Sequence, residues 1–176
     1  MTNLLLLPGN SSRNQELLDT YSEHFKDKGF NIITVPWRHW SDDSMDNVDE
    51  TEIERIIEII NKTSGDFYVI AKSVGTVLFS KVLSKIDKSR IKRVTYLGLP
   101  ISGKIEKYKM YYNVLNGLND TPITFIQAKN DPYASFEEVV DFTKNVLKNV
   151  KIELNEINRS DHDYPIEDVK EYFLDL

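Results

Sequence analysis

Short apolar runs alternate with longer stretches of helical period along the chain. This alternation is typical of β-α units, in which a mostly parallel sheet is covered by helices on both faces. The first, third and fourth runs read as continuously apolar, as expected for strands that are buried on both sides. The pattern predicts six strands, which are Leu4-Leu7, Ile32-Val35, Phe67-Ala71, Val94-Leu99, Ile123-Gln127 and Ile152-Ile157.

Helices are predicted between these strands, because apolar residues recur there every three to four positions. Ser12, Thr51 and Ser135 are each followed three positions later by Gln or Glu, which is the spacing of a capping box. Another apolar stripe begins at Val74, and Pro165 suits the first turn of a last helix. We therefore expect an α/β fold with one six-stranded, mainly parallel sheet and helices on both faces.

Composition narrows the class of protein. With 176 residues, 40% of them hydrophobic, residues 1–176 are expected to form a single domain with one core. The net charge of -6 and the scattered basic residues argue against a nucleic-acid partner. The chain has no cysteine, which excludes a disulfide, a thiolate zinc site and a thiol nucleophile. Neither a metal nor a cofactor is predicted, and the oligomeric state is left open.

No stretch is long enough to span a membrane, and the Leu4-Leu7 run is too short for the core of a signal peptide. A cytoplasmic protein is therefore expected, although a chain without cysteine is also compatible with secretion.

The segment from Phe67 to Gly75 is the sharpest local motif, because a strand runs into Ser73 and directly on into a helix. Such a nucleophile elbow raises the serine hydroxyl above the sheet and needs small residues two positions before and after the serine. Ala71 and Gly75 meet that need. The same pentapeptide also fits a serine that merely caps a helix, so the motif alone does not decide.

A serine nucleophile needs a base, and the chain has three histidines. His24 falls within the first predicted helix, and His39 follows the second strand but precedes the serine in the chain. His162 follows the last strand, on the sheet edge where ligands bind in open α/β folds. His162 is therefore the predicted general base.

The third member should be a carboxylate that orients the histidine. Asp131 lies four residues beyond the fifth strand, in an Asn-Asp-Pro sequence that would also suit an ordinary turn. The order Ser73, Asp131, His162 matches the chain order serine, acid, histidine. Asp161 and Asp163 are rival acids, but side chains next to a histidine in sequence rarely fold back onto its ring.

An oxyanion requires two backbone N–H groups, one from the residue after the nucleophile and one from an earlier strand-end loop. Val74 supplies the first, and Asn10 in Pro8-Gly9-Asn10 is the predicted second donor. Pro8-Gly9-Asn10 would also suit a plain strand-to-helix turn.

The combination of Pro8-Gly9-Asn10, the pentapeptide around Ser73, Asp131 and His162, in this order and spacing, resembles the α/β-hydrolase superfamily over essentially the whole chain. It is most similar to the compact branch of retinoblastoma-binding-protein-like serine hydrolases, in which Pro-Gly-Asn replaces the more common His-Gly motif. The resemblance implies a minimal fold without two antiparallel edge strands, with strand order second, first, third, fourth, fifth, sixth. Lys72 and its neighbour Ala71 differ from the commonest His and Gly, which bears on the substrate class.

The leading hypothesis is a serine esterase that acts on a small-molecule acyl substrate through an acyl-enzyme. A thioesterase or small-amide hydrolase would use the same residues, and a non-catalytic binding module of the same fold is the hypothesis from another class. Residues 100–120 are interpreted as a small lid or an excursion from the fold, and the sequence does not decide between the two. Aromatic residues that could form pocket walls or simply pack in the core are Trp37, Trp40, Tyr111, Tyr112 and Tyr133.

Overall fold

A computed structural model describes residues 2–42 and 44–173 of the chain. Its centre is one sheet whose strands are β1 (Thr2–Leu7), β2 (Asn31–Thr34), β3 (Asp66–Lys72), β4 (Ile91–Leu97), β5 (Ile123–Ala128) and β6 (Ile152–Ile157). All of them run parallel, in the order β2-β1-β3-β4-β5-β6. The six predicted strands are confirmed, and so is the strand order that the family resemblance implies.

The helices are α1 (Gln15–Phe25), α2 (Glu50–Lys62), α3 (Val74–Leu83), α4 (Phe136–Val146) and α5 (Ile166–Val169). The capping box of Ser135 is confirmed at the start of α4. The other two caps lie one or two residues earlier than predicted. Ser11 caps a 3₁₀ turn that precedes α1, and the side chain of Asp49 accepts from the Thr51 N–H at the start of α2.

The sheet buries a separate core on each face. Apolar residues of α2, α3 and α4 pack on one side, together with the 3₁₀ turns of Gly103–Gly117, in which Tyr112 and Leu115 are buried. On the other side α1 and α5 pack against each other and against alternate strand residues such as Leu4 and Leu6. No helix in the described part of the chain is both long and apolar enough to cross a bilayer.

The carboxyl ends of β1, β3, β4, β5 and β6 bring their following loops to one edge of the sheet. The strand β4 ends at Leu97, two residues before the predicted end, because Gly98 takes a positive φ of 63° and turns the chain away from the strand direction. The candidate functional residues lie at this edge.

Candidate active site

Ser73 forms the turn between β3 and α3. Its φ of 51° and ψ of −120° make it the one non-glycine residue with positive φ among residues 2–42 and 44–173. Such a conformation costs about 1–3 kcal/mol and must be stabilised by its surroundings. The Ser73 N–H donates to the Leu97 carbonyl at 2.9 Å, and the Thr76 N–H donates to the Ser73 carbonyl at 2.9 Å.

Gly75 allows this turn to form. A Cβ at Gly75 would lie 2.7 Å from the Leu7 carbonyl oxygen and 2.8 Å from the Pro8 carbonyl oxygen, so any side chain would push α3 away from the end of β1. The requirement for a small residue two positions after Ser73 is therefore met for a steric reason.

Asp131 and His162 are in direct contact. The Nδ1 atom of His162 lies 2.6 Å from Oδ2 of Asp131, which is buried. Nε2 of His162 is also buried, and no described residue makes a hydrogen bond to it. Ser73 and His162 line the same cleft of about 960 Å³, but the predicted hydrogen bond between them is not formed in this structure. The rival acid Asp161 instead pairs with Arg159 at 2.7 Å.

Two further groups hold the Asp131 carboxylate. The Tyr164 hydroxyl donates to Oδ2 at 2.7 Å, and the Tyr133 backbone N–H donates to Oδ1 at 2.8 Å. The Tyr164 oxygen in turn accepts from the Ala128 N–H at 3.0 Å. Burial and the negative charge of Asp131 raise the pKa of Tyr164, so the phenol stays a donor. Tyr164 was not predicted from the sequence, where its only signal is its position two residues after His162.

Gly98 makes room for the histidine. A Cβ there would lie 2.8 Å from Cε1 of His162 and 2.6 Å from Cε2 of Tyr164. Gly98 falls within the fourth predicted strand, and no role was predicted for it. A glycine near the end of a predicted strand was the available signal.

The Pro8-Gly9-Asn10 loop is held by ring N–H groups from the segment after β2. Nε1 of Trp37 lies 3.1 Å from both the Pro8 and the Gly9 carbonyl oxygens. The Asn10 carbonyl accepts from Nε1 of Trp40 at 2.8 Å and contacts Nε2 of His39 at 2.9 Å. Since a carbonyl oxygen can only accept, Nε2 of His39 carries the proton.

These bonds correct the prediction that Trp37 and Trp40 form pocket walls. Neither ring belongs to the described lining of the cleft, because their N–H groups turn them toward the loop carbonyls. Tyr133 does line the cleft, is 46% exposed, and meets the His162 ring edge-to-face at 4.5 Å between centroids. Tyr112 is buried against α3, where its hydroxyl lies 2.6 Å from that of Thr76. From residues 100–120, Pro100 and Tyr108 reach the cleft.

The opposite side of the same loop is held by Asn14 and Lys72. Nδ2 of Asn14 donates to the Ser11 carbonyl at 2.8 Å, and Oδ1 of Asn14 accepts from Nζ of Lys72 at 2.8 Å. A Cβ on Gly9 would lie 2.8 Å from Oδ1 of Asn14, so the loop packs directly on this amide. The residues of both predicted oxyanion donors, Asn10 and Val74, line the cleft that contains Ser73.

The described residues contain no group of three or more His, Asp and Glu side chains arranged to hold a metal ion. Charged side chains of both signs line the cleft. Its cationic side chains are Arg13, Lys72 and Arg159, and its acidic side chains are Glu16, Asp163 and Glu167.

Comparison with known proteins gives the fold. No protein-family model matches the chain, and no curated protein matches it. Among solved structures, an uncharacterized protein from Bacillus cereus superposes with a TM-score of 0.69 at 18% identity, over 98% of this chain and 59% of that one. The chain thus spans less than two thirds of that protein.

Two further similar structures belong to proteins with a named class or activity. An alpha-beta serine hydrolase homologue from Coxiella burnetii matches with a TM-score of 0.62 at 15% identity, over 95% of this chain and 78% of that one. A monoacylglycerol lipase from Paleococcus ferrophilus matches with a TM-score of 0.69 at 12% identity, over 98% and 90%. The chain therefore has the α/β-hydrolase fold, which at these identities does not by itself define an activity.

Proposed function

We propose that this protein is a serine hydrolase that cleaves a carboxylic ester or a related acyl bond. The observation that carries the proposal is the strained Ser73 in the same cleft as the hydrogen-bonded His162–Asp131 pair. Backbone strain of this kind is maintained at functional sites, where it aims a side chain at the substrate. The fold similarity to proteins described as a serine hydrolase homologue and a lipase supports the same class of activity.

In the proposed reaction, Ser73 Oγ attacks the acyl carbonyl and passes its proton to Nε2 of His162, which has no other described partner. Asp131 accepts from Nδ1–H, which fixes the tautomer and stabilises the imidazolium. The N–H groups of Val74 and Asn10 bind the oxyanion. His162 returns the proton to the leaving group, and water then hydrolyses the acyl-enzyme. Because the Ser73–His162 hydrogen bond is not formed here, the proposed reaction requires it to form when substrate binds, as is common for apo sites.

The test is turnover of 4-nitrophenyl acetate together with labelling by a fluorophosphonate and peptide mapping. Ser73→Ala and His162→Ala should each lower kcat/KM by roughly 10⁴-fold or more, and the double variant should be scarcely worse, because the two residues act as one unit. Asp131→Asn should be milder, since it leaves nucleophile and base in place. His24→Gln, within α1, is the control histidine and should keep wild-type turnover.

Other outcomes would favour the alternatives. Higher kcat/KM with thioesters or small amides than with matched esters would change the substrate bond but not the mechanism. If the wild-type protein neither turned over any acyl substrate nor took the label on Ser73, the proposal would be wrong and a non-catalytic binding module would replace it. Membership of the retinoblastoma-binding-protein-like branch rests on Pro8-Gly9-Asn10 and stays a prediction.

A further inference from the structure

Among the described residues that line the cleft, Lys72 is the one whose charge is buried without a role in the proposed reaction. Its side chain extends from the end of β3, directly before Ser73, and the residue is 5% exposed. An ammonium group has three N–H donors, of which the Asn14 amide oxygen takes one. No described residue accepts from the other two donors, and Lys72 is one of the residues that line the cleft.

The charge of Lys72 has no close counter-ion in residues 2–42 and 44–173, because none of their carboxylates forms an ion pair with Nζ within 4.0 Å. Burial lowers the pKa of Lys72, and the charges of Asp163 and Asp131 partly oppose that effect from farther away. In its protonated form, Lys72 therefore lacks a close counter-charge beside the nucleophile.

The acidic residues of the cleft do not cancel this attraction for an anion. Glu16, Asp163 and Glu167 are all exposed, so water and salt screen their charges. Lys72 is buried and is screened much less. Arg13 also lines the cleft and adds a positive charge near Lys72, but it is exposed and is screened like the three acids.

We infer that Lys72 binds a carboxylate of the substrate, so that the hydrolysed compound is an ester or related acyl compound that carries a negative charge. A carboxylate supplies several acceptor sites for the two spare N–H groups, and a charge-assisted hydrogen bond in a desolvated site is among the stronger ones. The inference rests on the proposed function for its reaction, but the binding step does not depend on turnover.

The first experiment compares kcat/KM for three esters. They are the neutral 4-nitrophenyl acetate, mono-4-nitrophenyl glutarate with a carboxylate on the acyl side, and 4-acetoxybenzoate with a carboxylate on the alcohol side. The ratio of anionic to neutral ester should fall about ten-fold or more in Lys72→Met for one of the two anionic compounds, which identifies the side that Lys72 contacts. Lys72→Arg should recover part of the ratio. Lys148→Met, an exposed lysine outside the cleft, should leave it unchanged.

The ratio is the relevant quantity because Lys72 also supports the Asn14 amide, so its loss can slow every substrate equally. The second experiment measures binding of monomethyl glutarate and neutral dimethyl glutarate to Ser73→Ala protein by calorimetry, with and without Lys72→Met. We expect the monoanion to bind more tightly and to lose that advantage without Lys72.

Different results would refute the hydrolase activity and the carboxylate site at Lys72. Lys72-dependent binding of the monoanion without any ester turnover would support the carboxylate site and reject the hydrolase. Ester turnover with an unchanged ratio in Lys72→Met, and equal binding of the two glutarate esters, would overturn the carboxylate site and leave Lys72 as a support for Asn14.

Discussion

At the scale of single residues, the loop of the proposed oxyanion site is fixed by its carbonyl groups. The carbonyls of Pro8, Gly9 and Asn10 accept from rings that follow β2, and the Ser11 carbonyl accepts from Asn14. When each carbonyl of a short loop is held, its N–H groups have little freedom to reorient. A donor that is oriented in advance stabilises developing charge without reorganisation during the reaction.

Trp40→Phe tests this arrangement, because it keeps an aromatic ring but removes the N–H that donates to the Asn10 carbonyl. We expect kcat for 4-nitrophenyl acetate to fall roughly three- to ten-fold with KM little changed, as for an interaction that matters in the transition state. Steady-state kinetics give both parameters, with Tyr172→Phe as the aromatic control. A higher KM at unchanged kcat would instead show Trp40 to be a pocket wall, which is one of the two roles that the sequence left open.

At the scale of elements, the end of β4 determines where the base lies. Gly98 combines a positive φ of 63° with side chains packed against the position of a Cβ, so it is constrained by both backbone and space. Gly29, after α1, has a positive φ of 80° with no atom within 4 Å of a Cβ. Substitutions at the two glycines therefore distinguish the cost of a left-handed backbone from the cost of a steric clash.

Gly98→Ala should therefore lower both stability and activity, whereas Gly29→Ala should lower stability alone. Left-handed backbone costs alanine about 1–2 kcal/mol at either site, and overpacking at Gly98 adds about 1–3 kcal/mol. Displacement of His162 should reduce kcat/KM at least about ten-fold. Urea unfolding and ester turnover measure the two effects. Equal kcat/KM for both variants would mean that Gly98 does not position His162.

At the scale of the whole molecule, hydrophobic periodicity predicted the strands, since burial on both faces leaves a continuous apolar run that is readable locally. Helix starts were less accurate because caps depend on one side chain and one N–H, as with Ser11 and Asp49. Asp131 and His162 were paired on the basis of their order in the chain, and their side chains are in hydrogen-bond contact. The roles of Trp37 and Tyr164 were missed, because their partners are 28 to 33 residues away and such contacts leave no periodic signal.

Four buried tyrosines, two on each face of the sheet, make the stability of the whole molecule depend on pH in the alkaline range. Tyr21 and Tyr164 lie on the α1 side, and Tyr96 and Tyr112 lie on the α3 side. Each hydroxyl is hydrogen bonded: Tyr21 donates to the Tyr164 carbonyl, Tyr164 to Asp131, and the other two pair with Ser80 and Thr76. Burial raises the pKa of all four phenols above 10.0.

These shifts predict a steep loss of stability above about pH 10. The unfolded chain releases the four phenolic protons near pH 10 while the folded protein keeps them, so the folded state binds more protons and its stability falls as pH rises. Each proton contributes about 1.4 kcal/mol per pH unit, or roughly 5–6 kcal/mol per unit for four. The pKa of Lys72 is lowered, so below its ordinary value of 10.5 the folded protein binds fewer protons at this group than the unfolded chain does, and stability rises with pH. This opposing effect involves only one proton.

Urea unfolding between pH 8 and pH 11, followed together with phenolate absorbance, measures this effect. We expect the free energy of unfolding to be nearly flat up to about pH 9.5 and then to drop, with the absorbance of the buried tyrosines rising only as the protein unfolds. Tyr96→Phe should reduce the limiting slope by about a quarter, because one of four protons is removed. Complete phenolate absorbance in protein that is still folded would show that the four hydroxyls are open to solvent, and that the two cores are less closed than their packing indicates.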